Sequence, residues 1–314
     1  MVKESYKNAK IFVGGHKGMV GSACLNLLKK QGYKNLIYKS SSELDLRDTD
    51  SVCQFFKQNK IEIVINSAAK VGGIWVNNEY PYEFLMDNML IQNNLIKMAH
   101  ENGVKKFIFL GSSCIYPKHA EQPIKENSLL TAPLEETNQW YALAKITGVK
   151  LCEAIFTKFN KQFISLMPTN LYGINDNFDL KTSHVLPAMI RKFHEAKKNN
   201  VKQMVLWGDG SPLREFLNVQ DLARAVLFAL ENNFDECIFN VGSGEELSIA
   251  QLAEVVSEIT EFDGKIVWDK TMPNGTPRKL LDSSKFLKLG WQPEISLQEG
   301  INKTYKWYVK NEKD

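Results

Sequence analysis

Gly15-His16-Lys17-Gly18-Met19-Val20-Gly21 follows the apolar triplet Ile11-Phe12-Val13 and opens a segment from Gly18 to Gln31. In that segment Val20, Cys24, Leu27 and Leu28 recur with helical spacing. A strand that passes through a glycine-rich turn straight into a helix leaves few folds open. Glycines let the backbone approach a pyrophosphate closely, and the helix N-terminus stabilises the negative charge. A glycine pattern alone is a weak signal. Its place between a strand and a helix makes it a dinucleotide-binding fingerprint.

The alternation continues through the first half. Short β-rich runs stand at Leu36-Ile37-Tyr38, Ile63-Val64-Ile65, Lys106-Phe107-Ile108-Phe109-Leu110 and Phe163-Ile164-Ser165-Leu166-Met167. Helical patterns lie between them, over about 49–60, 82–101 and around Tyr141. This rhythm predicts an α/β fold, a Rossmann-type doubly wound parallel sheet with ligands at the carboxyl ends of its strands. The second half is less regular. Helices are predicted over 185–198, 219–231 and 248–260, the last with Ser248 as N-cap. Strands are predicted at 204–207, 238–241 and 266–268. The change near residue 170 suggests an NADP-binding domain over 1–170 and a smaller substrate lobe over 171–314, with some interleaving of the chain.

The 314 residues carry a formal net charge of only +3, with the basic residues scattered, which gives no reason to expect a nucleic-acid partner. The opening stretch, residues 1–10, lacks the apolar run of a signal peptide, and no segment has the length of a membrane span. The five cysteines are widely spaced with no CxxC pair, so the chain reads as a cytoplasmic protein with reduced thiols and no metal site. Cys24 and Cys152 fall in helical patterns and are expected in the core.

Tyr141 and Lys145 stand four residues apart in a helical pattern, which places them on one face. With the serine cluster Gly111-Ser112-Ser113-Cys114 behind a strand, they make a carbonyl–alcohol redox site. Tyr141 would give a proton to the forming alkoxide. A free phenol has a pKa near ~10, and the Lys145 cation is expected to lower it. The cofactor is read as NADPH. An NAD site carries an acid about 20 residues after the glycines. Here the second strand ends in Lys39-Ser40-Ser41-Ser42, with Lys17 in the loop, a pattern suited to a 2′-phosphate.

These pieces together resemble the extended short-chain dehydrogenase/reductases, which share GxxGxxG, a catalytic serine or threonine, and YxxxK. The likeness covers nearly the whole chain. It is most specific to the branch that epimerises and reduces a GDP-4-keto-6-deoxy sugar, through Ala68-Ala69-Lys70-Val71-Gly72-Gly73-Ile74, Gly111 to Pro117, Met167-Pro168-Thr169-Asn170-Leu171-Tyr172-Gly173, Asp176-Asn177-Phe178, Ser183 to Ala188 and Arg214-Glu215-Phe216-Leu217. The resemblance implies Ser112, Tyr141 and Lys145 as the reductase triad and Cys114 and His184 as the epimerase acid–base pair. It places NADPH against Gly15, Lys17, Gly18, Met19, Val20, Gly21, Lys39, Ser41, Ala68, Ala69, Tyr141, Lys145, Pro168, Asn170, Leu171 and His184. It places the GDP-sugar against Ser113, Cys114, Asn170, Lys192, Trp207, Arg214 and Lys279. It further implies a homodimer formed through helices of the dinucleotide domain. Three departures stand out. Ser41 holds the position of an arginine that relatives use for the 2′-phosphate, Lys192 replaces another arginine near the substrate, and Trp75 and Trp140 add bulk beside the sugar pocket.

The chemistry suits these residue types. A C4 ketone acidifies both C3 and C5, so one acid–base pair that titrates near neutrality can serve both carbons. A sugar-nucleotide dehydratase would need an Asp-Glu pair where this chain has Ser113-Cys114. Two alternatives stay open. One is a C4 reductase without epimerase activity acting on a GDP-4-keto-heptose for surface polysaccharide. The other is a non-catalytic NADP-binding sensor, against which the retained triad argues.

Overall fold

The structure, a computed structural model, describes residues 6–272 and 274–312, with backbone only at 74 and 75. The first five residues of the polar opening stretch and the side chain of Trp75 therefore lie outside the described residues.

The first half runs β1 (Ile11–Gly14), α1 (Met19–Lys30), β2 (Leu36–Ile37), α2 (Thr49–Asn59), β3 (Ile63–Asn66), α3 (Ile74–Glu79), α4 (Pro81–Glu101), β4 (Lys106–Leu110), α5 (Gln139–Phe159) and β5 (Gln162–Pro168). It continues through β6 (Asn170–Tyr172), α6 (Val185–Lys198), β7 (Gln203–Trp207), β8 (Leu213–Asn218), α7 (Val219–Glu231) and β9 (Ile238–Val241). The last part holds β10 (Glu246–Ser248), α8 (Ile249–Thr260), β11 (Lys265–Asp269), β12 (Arg278–Lys279), α9 (Ser284–Lys288) and α10 (Leu297–Asn311). Ser248 caps α8 as expected, in a reciprocal capping box with Gln251.

A six-stranded parallel sheet has the order β2-β1-β3-β4-β5-β9. The order reverses between β1 and β3, the point where an open α/β sheet leaves a crevice for a ligand. Both faces are covered. Ile11, Val13, Ile63, Ile65, Ile108 and Ile164 pack towards α1 and α7, and Phe12, Val64, Phe107, Phe109 and Phe163 pack towards α2, α4 and α5. Cys24 and Cys152 lie buried in these two cores.

The sheet takes β9, and the helix α7 beneath it, from beyond residue 170. The remaining strands form two small sheets beside α6, α8 and α10, around a third core of Tyr172, Ile190, Phe193, Phe216, Leu252 and Ile301. In the larger of these sheets β8 has β10 and β12 as neighbours and also pairs with β6. β6, β10 and β12 went unnoticed in the sequence because they are short, and the longer β8 because it mixes polar with apolar residues. Among the described residues no helix is long and apolar enough to cross a membrane.

Lys106 is fully buried at the start of β4. Its ammonium donates to the carbonyls of Ala229 (3.2 Å), Leu230 (3.0 Å) and Asn232 (2.6 Å) at the end of α7. A cation there satisfies carbonyls that have no intrahelical partner and complements the helix dipole. Lys106→Met leaves those carbonyls dry and unpaired, at a cost of about 2–4 kcal/mol. The expected result is a melting temperature lower by ~5 °C or more by calorimetry. An unchanged melting temperature would show that water replaces the lysine there.

Candidate active site

The glycine turn closes onto the sheet from the left-handed region. Gly15 has φ +77°, and a Cβ on it would lie 2.7 Å from the Ala68 nitrogen. A Cβ on Gly21 would run into the Gly15 carbonyl, so only glycine lets α1 sit this close to the turn. The N-cap Gly18 offers no side-chain acceptor and the first turn of α1 has no acid, which leaves the amides at its start open to an anion. Ala68 and Ala69 follow β3, Ser112 follows β4, and Pro168, Asn170 and Leu171 lie at the end of β5 and in β6. All of these stand at the carboxyl ends of neighbouring parallel strands. This cradle fits a dinucleotide.

After β2 the structure adds an acid, Glu43, that stands one residue beyond the Lys39–Ser42 segment. Glu43 turns back to accept from the Ser40 amide (2.8 Å) and hydroxyl (2.7 Å), and pairs with Lys39 at 3.3 Å. Those hydrogen bonds hold its carboxyl near 2. Lys39 and Ser41 are both exposed beside it.

Ser112 caps a short 3-10 turn over 113–115, its hydroxyl accepting from the Cys114 amide at 3.2 Å. Tyr116, the next residue on, is buried and donates to Asn240 Oδ1 at 2.6 Å. The Asn240 amide nitrogen in the backbone donates to the buried Glu126 carboxylate, and its side chain donates to the Ile124 carbonyl. The loop carrying Ser112 and Cys114 is thus pinned to β9 from below.

Tyr141 and Lys145 share one face of α5. Lys145 is buried and donates to the Leu110 carbonyl at 2.7 Å, one residue before the loop begins. Loss of water pushes the Lys145 ammonium down to about 7. Burial pushes the Tyr141 phenol well above its usual value, and negative charge on Cys114 adds to that. The expectation that Lys145 would lower Tyr141 is therefore corrected for this state of the protein. The ammonium is turned to the Leu110 carbonyl, 5.7 Å from the centre of the Tyr141 ring, and the phenol keeps its proton.

Lys279, on β12, is paired in register with Arg214 on β8 and brings its ammonium to 3.6 Å from Cys114 Sγ. Burial and the Lys279 charge hold the His184 imidazole below its ordinary range. Tyr141 is half-buried and His184 exposed, yet dense protein surrounds both, the setting of a cleft. Arg214 has no carboxylate partner among the described residues; burial alone draws it below the usual guanidinium range. Two half-buried cations beside a thiol and an imidazole form a pocket suited to an anion.

The structure thus gathers Ser112, Cys114, Tyr141, Lys145, His184, Arg214 and Lys279 at one end of the sheet. Ser113 is buried in the 3-10 turn, and the Asn170 amide donates to the Glu215 carbonyl at 2.7 Å. Lys192 and Trp207 form a separate pair, the ammonium 5.9 Å from the centre of an indole ring that is 63% exposed. No hydrogen bond or ion pair described for them joins that pair to the Cys114 cluster.

Glu215 was missed as an individual contributor. It is fully buried and accepts from the Gly244 amide (2.8 Å) and the Leu281 amide (3.1 Å), tying β8 to the segment that carries Lys279. An acid flanked by Arg214 and Phe216 reads as the solvent side of a strand, and only the pairing partners reveal otherwise. Asp176 was quoted only as part of a motif. Burial pushes its carboxyl up to about 7, and one of its oxygens has no protein partner.

Lys279→Met should raise the titration midpoint of His184 without reaching the ordinary value of 6.5, because burial is the larger cause. Histidine NMR across pH 4–8 tests this. A midpoint that does not move would mean that Lys279 does not act on the imidazole.

Residues 11–242 match the NAD dependent epimerase/dehydratase family. The chain is 56% identical to GDP-L-fucose synthase 1 of Arabidopsis thaliana over 307 residues, 98% of this chain and 95% of that one. It is 45% identical to the GDP-L-fucose synthase of Escherichia coli K12, covering 96% of this chain and 97% of the relative. Among solved structures it is similar to the GDP-mannoheptose C4 reductase of Campylobacter jejuni with NADP bound. That likeness has a TM-score of 0.89 at 35% identity, over 98% of this chain and 100% of that one.

Proposed function

The chain belongs to the NAD dependent epimerase/dehydratase family, and from there we propose that it converts a GDP-4-keto-6-deoxy sugar in two stages, epimerisation at C3 and C5 followed by NADPH-dependent reduction at C4. The observation that carries this reading is the placing of Cys114 and His184 about the Lys279 ammonium, beside the reductase triad. A dehydratase has acids where this chain has Ser113 and Cys114. The higher identity to fucose synthases than to the heptose reductase supports a 6-deoxyhexose over a heptose.

Each group has a task that its surroundings suit. Arg214 and Lys279 would hold the diphosphate, Arg214 by bidentate hydrogen bonds. Ser112 and Tyr141 would donate to the C4 oxygen and stabilise the enolate that forms when a proton leaves C3 or C5. Cys114 as thiolate would take that proton, and His184 would return one to the opposite face, so that each carbon loses one proton and gains one. In the resting protein His184 is held neutral. A diphosphate beside Lys279 offsets the smaller of the two effects that keep it so, and shifts the imidazole towards holding the proton it must deliver. When bound, NADPH supplies hydride to C4. Tyr141, protonated in its buried setting, would give the alkoxide its proton. The exposed Lys39 and Ser41 would meet a 2′-phosphate, with Lys39 leaving Glu43 to do so.

The test uses NADPH and GDP-4-keto-6-deoxy-D-mannose in heavy water, with the product read by NMR and mass. The wild-type protein should give a reduced sugar carrying deuterium at C3 and C5. Cys114→Ala should abolish that exchange and leave a reducible ketone, and Tyr141→Phe should lower reduction at least ~10³-fold with NADPH affinity nearly unchanged. Reduction without deuterium at either carbon would leave a plain C4 reductase, and NADPH binding without turnover would leave the sensor reading.

We also infer a homodimer. Tyr82, Met86 and Leu90 stand exposed at four-residue intervals on α4, with Trp140, Leu143 and Leu151 exposed on α5, which packs beside it. Apolar side chains in such rows fit a second copy of the same helix pair. The double substitution Met86→Glu with Leu90→Glu should give a monomer by light scattering. A dimer that survives it would place the interface elsewhere.

A further inference from the structure

α3 and the turn before it lie between the two loops that deliver the acid–base groups. Residues 74–79 pack against the turn 136–138, directly ahead of Tyr141. On the other side the Gly73 amide donates to the Thr182 carbonyl at 2.9 Å, two residues ahead of His184. The fit there is tight. A Cβ on Gly73 would lie 3.1 Å from the Ser183 carbonyl oxygen and 3.3 Å from that of Thr182. Gly73 has φ −66° and ψ 177°, a conformation open to any residue, so it is the crowding and not the backbone angle that favours glycine here.

Asn77 secures the turn from inside. It is buried, and its side-chain amide donates to the carbonyls of Gly72 (2.8 Å) and Gly73 (3.1 Å). Those bonds fix the direction of the Gly73 amide. The loop that receives it is itself well braced. Asp179 accepts from the amides of Lys181 and Thr182 and from the Thr182 hydroxyl, and the Asn177 side chain donates to that hydroxyl at 2.8 Å. At its far end the loop passes into α6, where His184 is the N-cap residue and its side chain makes no capping bond. Nothing in the helix cap therefore orients the imidazole. The placing of its backbone depends on the braced loop, and the loop is docked on Gly73.

We propose that Gly73 and Asn77 are positioning residues for His184: they form the strap by which the dinucleotide domain fixes the distance of the imidazole from Cys114. The proposal deepens the epimerase–reductase reading and rests on it for its consequence in turnover. Proton return at C3 and C5 needs His184 in place. Hydride transfer at C4 runs through Tyr141 and Lys145 and does not.

Gly73→Ala is the probe, since it adds one methyl group against the Thr182–Ser183 backbone without straining its own. Two readouts are taken on the full chain. The first compares deuterium exchange at C3 and C5 with oxidation of GDP-L-fucose by NADP+, the reverse reaction, which uses the triad alone. Exchange should fall at least ~10-fold and reverse oxidation less than ~2-fold, with NADPH affinity unchanged. Asn77→Asp, which removes the amide donors, should show the same split, and Asn77→Ala serves if that variant is poorly folded. Equal losses in both reactions would reduce the strap to a structural part and overturn the proposal.

The second readout needs no substrate. Histidine NMR of the resting protein, with His184 assigned through His184→Asn, should show the His184 resonance and its titration midpoint displaced in Gly73→Ala. The signals of His16, His100, His119 and His194 should stay fixed. An unmoved His184 overturns the proposal. A displaced His184 in a protein whose wild-type form exchanges no proton upholds the strap and instead removes the epimerase reading.

Discussion

The strands β1, β3 and β4 are buried along their whole length, and β5 is buried from Phe163 to Pro168. A parallel sheet built this way must be roofed by helices on both sides, and its connections cross from the end of each strand to the start of the next. The consequence is geometric. Every loop that follows a strand leaves the same end of the sheet, and chemistry collects there. The glycine turn, Ala68 and Ala69, Ser112 and Cys114, and Pro168 through Leu171 lie at that end. Lys106, at the opposite end of β4, helps hold α7 against the sheet by satisfying the carbonyls at its C-terminus.

The electrostatics of the site follow from how the second lobe meets that end. β8 and β12 run side by side, so Arg214 and Lys279 stand in register. Glu215, between Arg214 and Phe216, is buried on backbone amides and not on either cation. Among the described residues the cations are thus left without carboxylate partners, poised for an anion. The Lys279 ammonium lies against Cys114 and its field reaches His184, which makes the protonation of that imidazole responsive to what binds there. Lys145 faces the opposite limit. It is so far from water that its charge is costly, and its proton is held by the Leu110 carbonyl.

The two lobes also constrain one another mechanically. Asn77, Gly73 and the loop 177–184 form one chain of hydrogen bonds that ends on Thr182, two residues ahead of His184. On the other side of α3 lies the turn that leads to Tyr141. The short helix α3 thus sits between the turn ahead of Tyr141 and the loop ahead of His184.

The sequence by itself determined the alternating elements, the dinucleotide turn and the pairing of Tyr141 with Lys145 on one helix face. Each of these is local, since glycine tolerance, apolar periodicity and i,i+4 spacing act within a few residues. α6, α7 and β9 were legible to the residue for that reason. Ser112 and Cys114 were legible because a strand run ends just before them. Tertiary structure alone decided the rest. Lys279 lies 165 residues from the thiol it approaches, and Leu281 lies 66 from the Glu215 carboxylate that holds its amide. The proton on Tyr141, the neutral state of His184 and the turning of Lys145 to the Leu110 carbonyl were set by burial. Burial depends on which distant segments come to cover a group, and no local pattern in the chain encodes that.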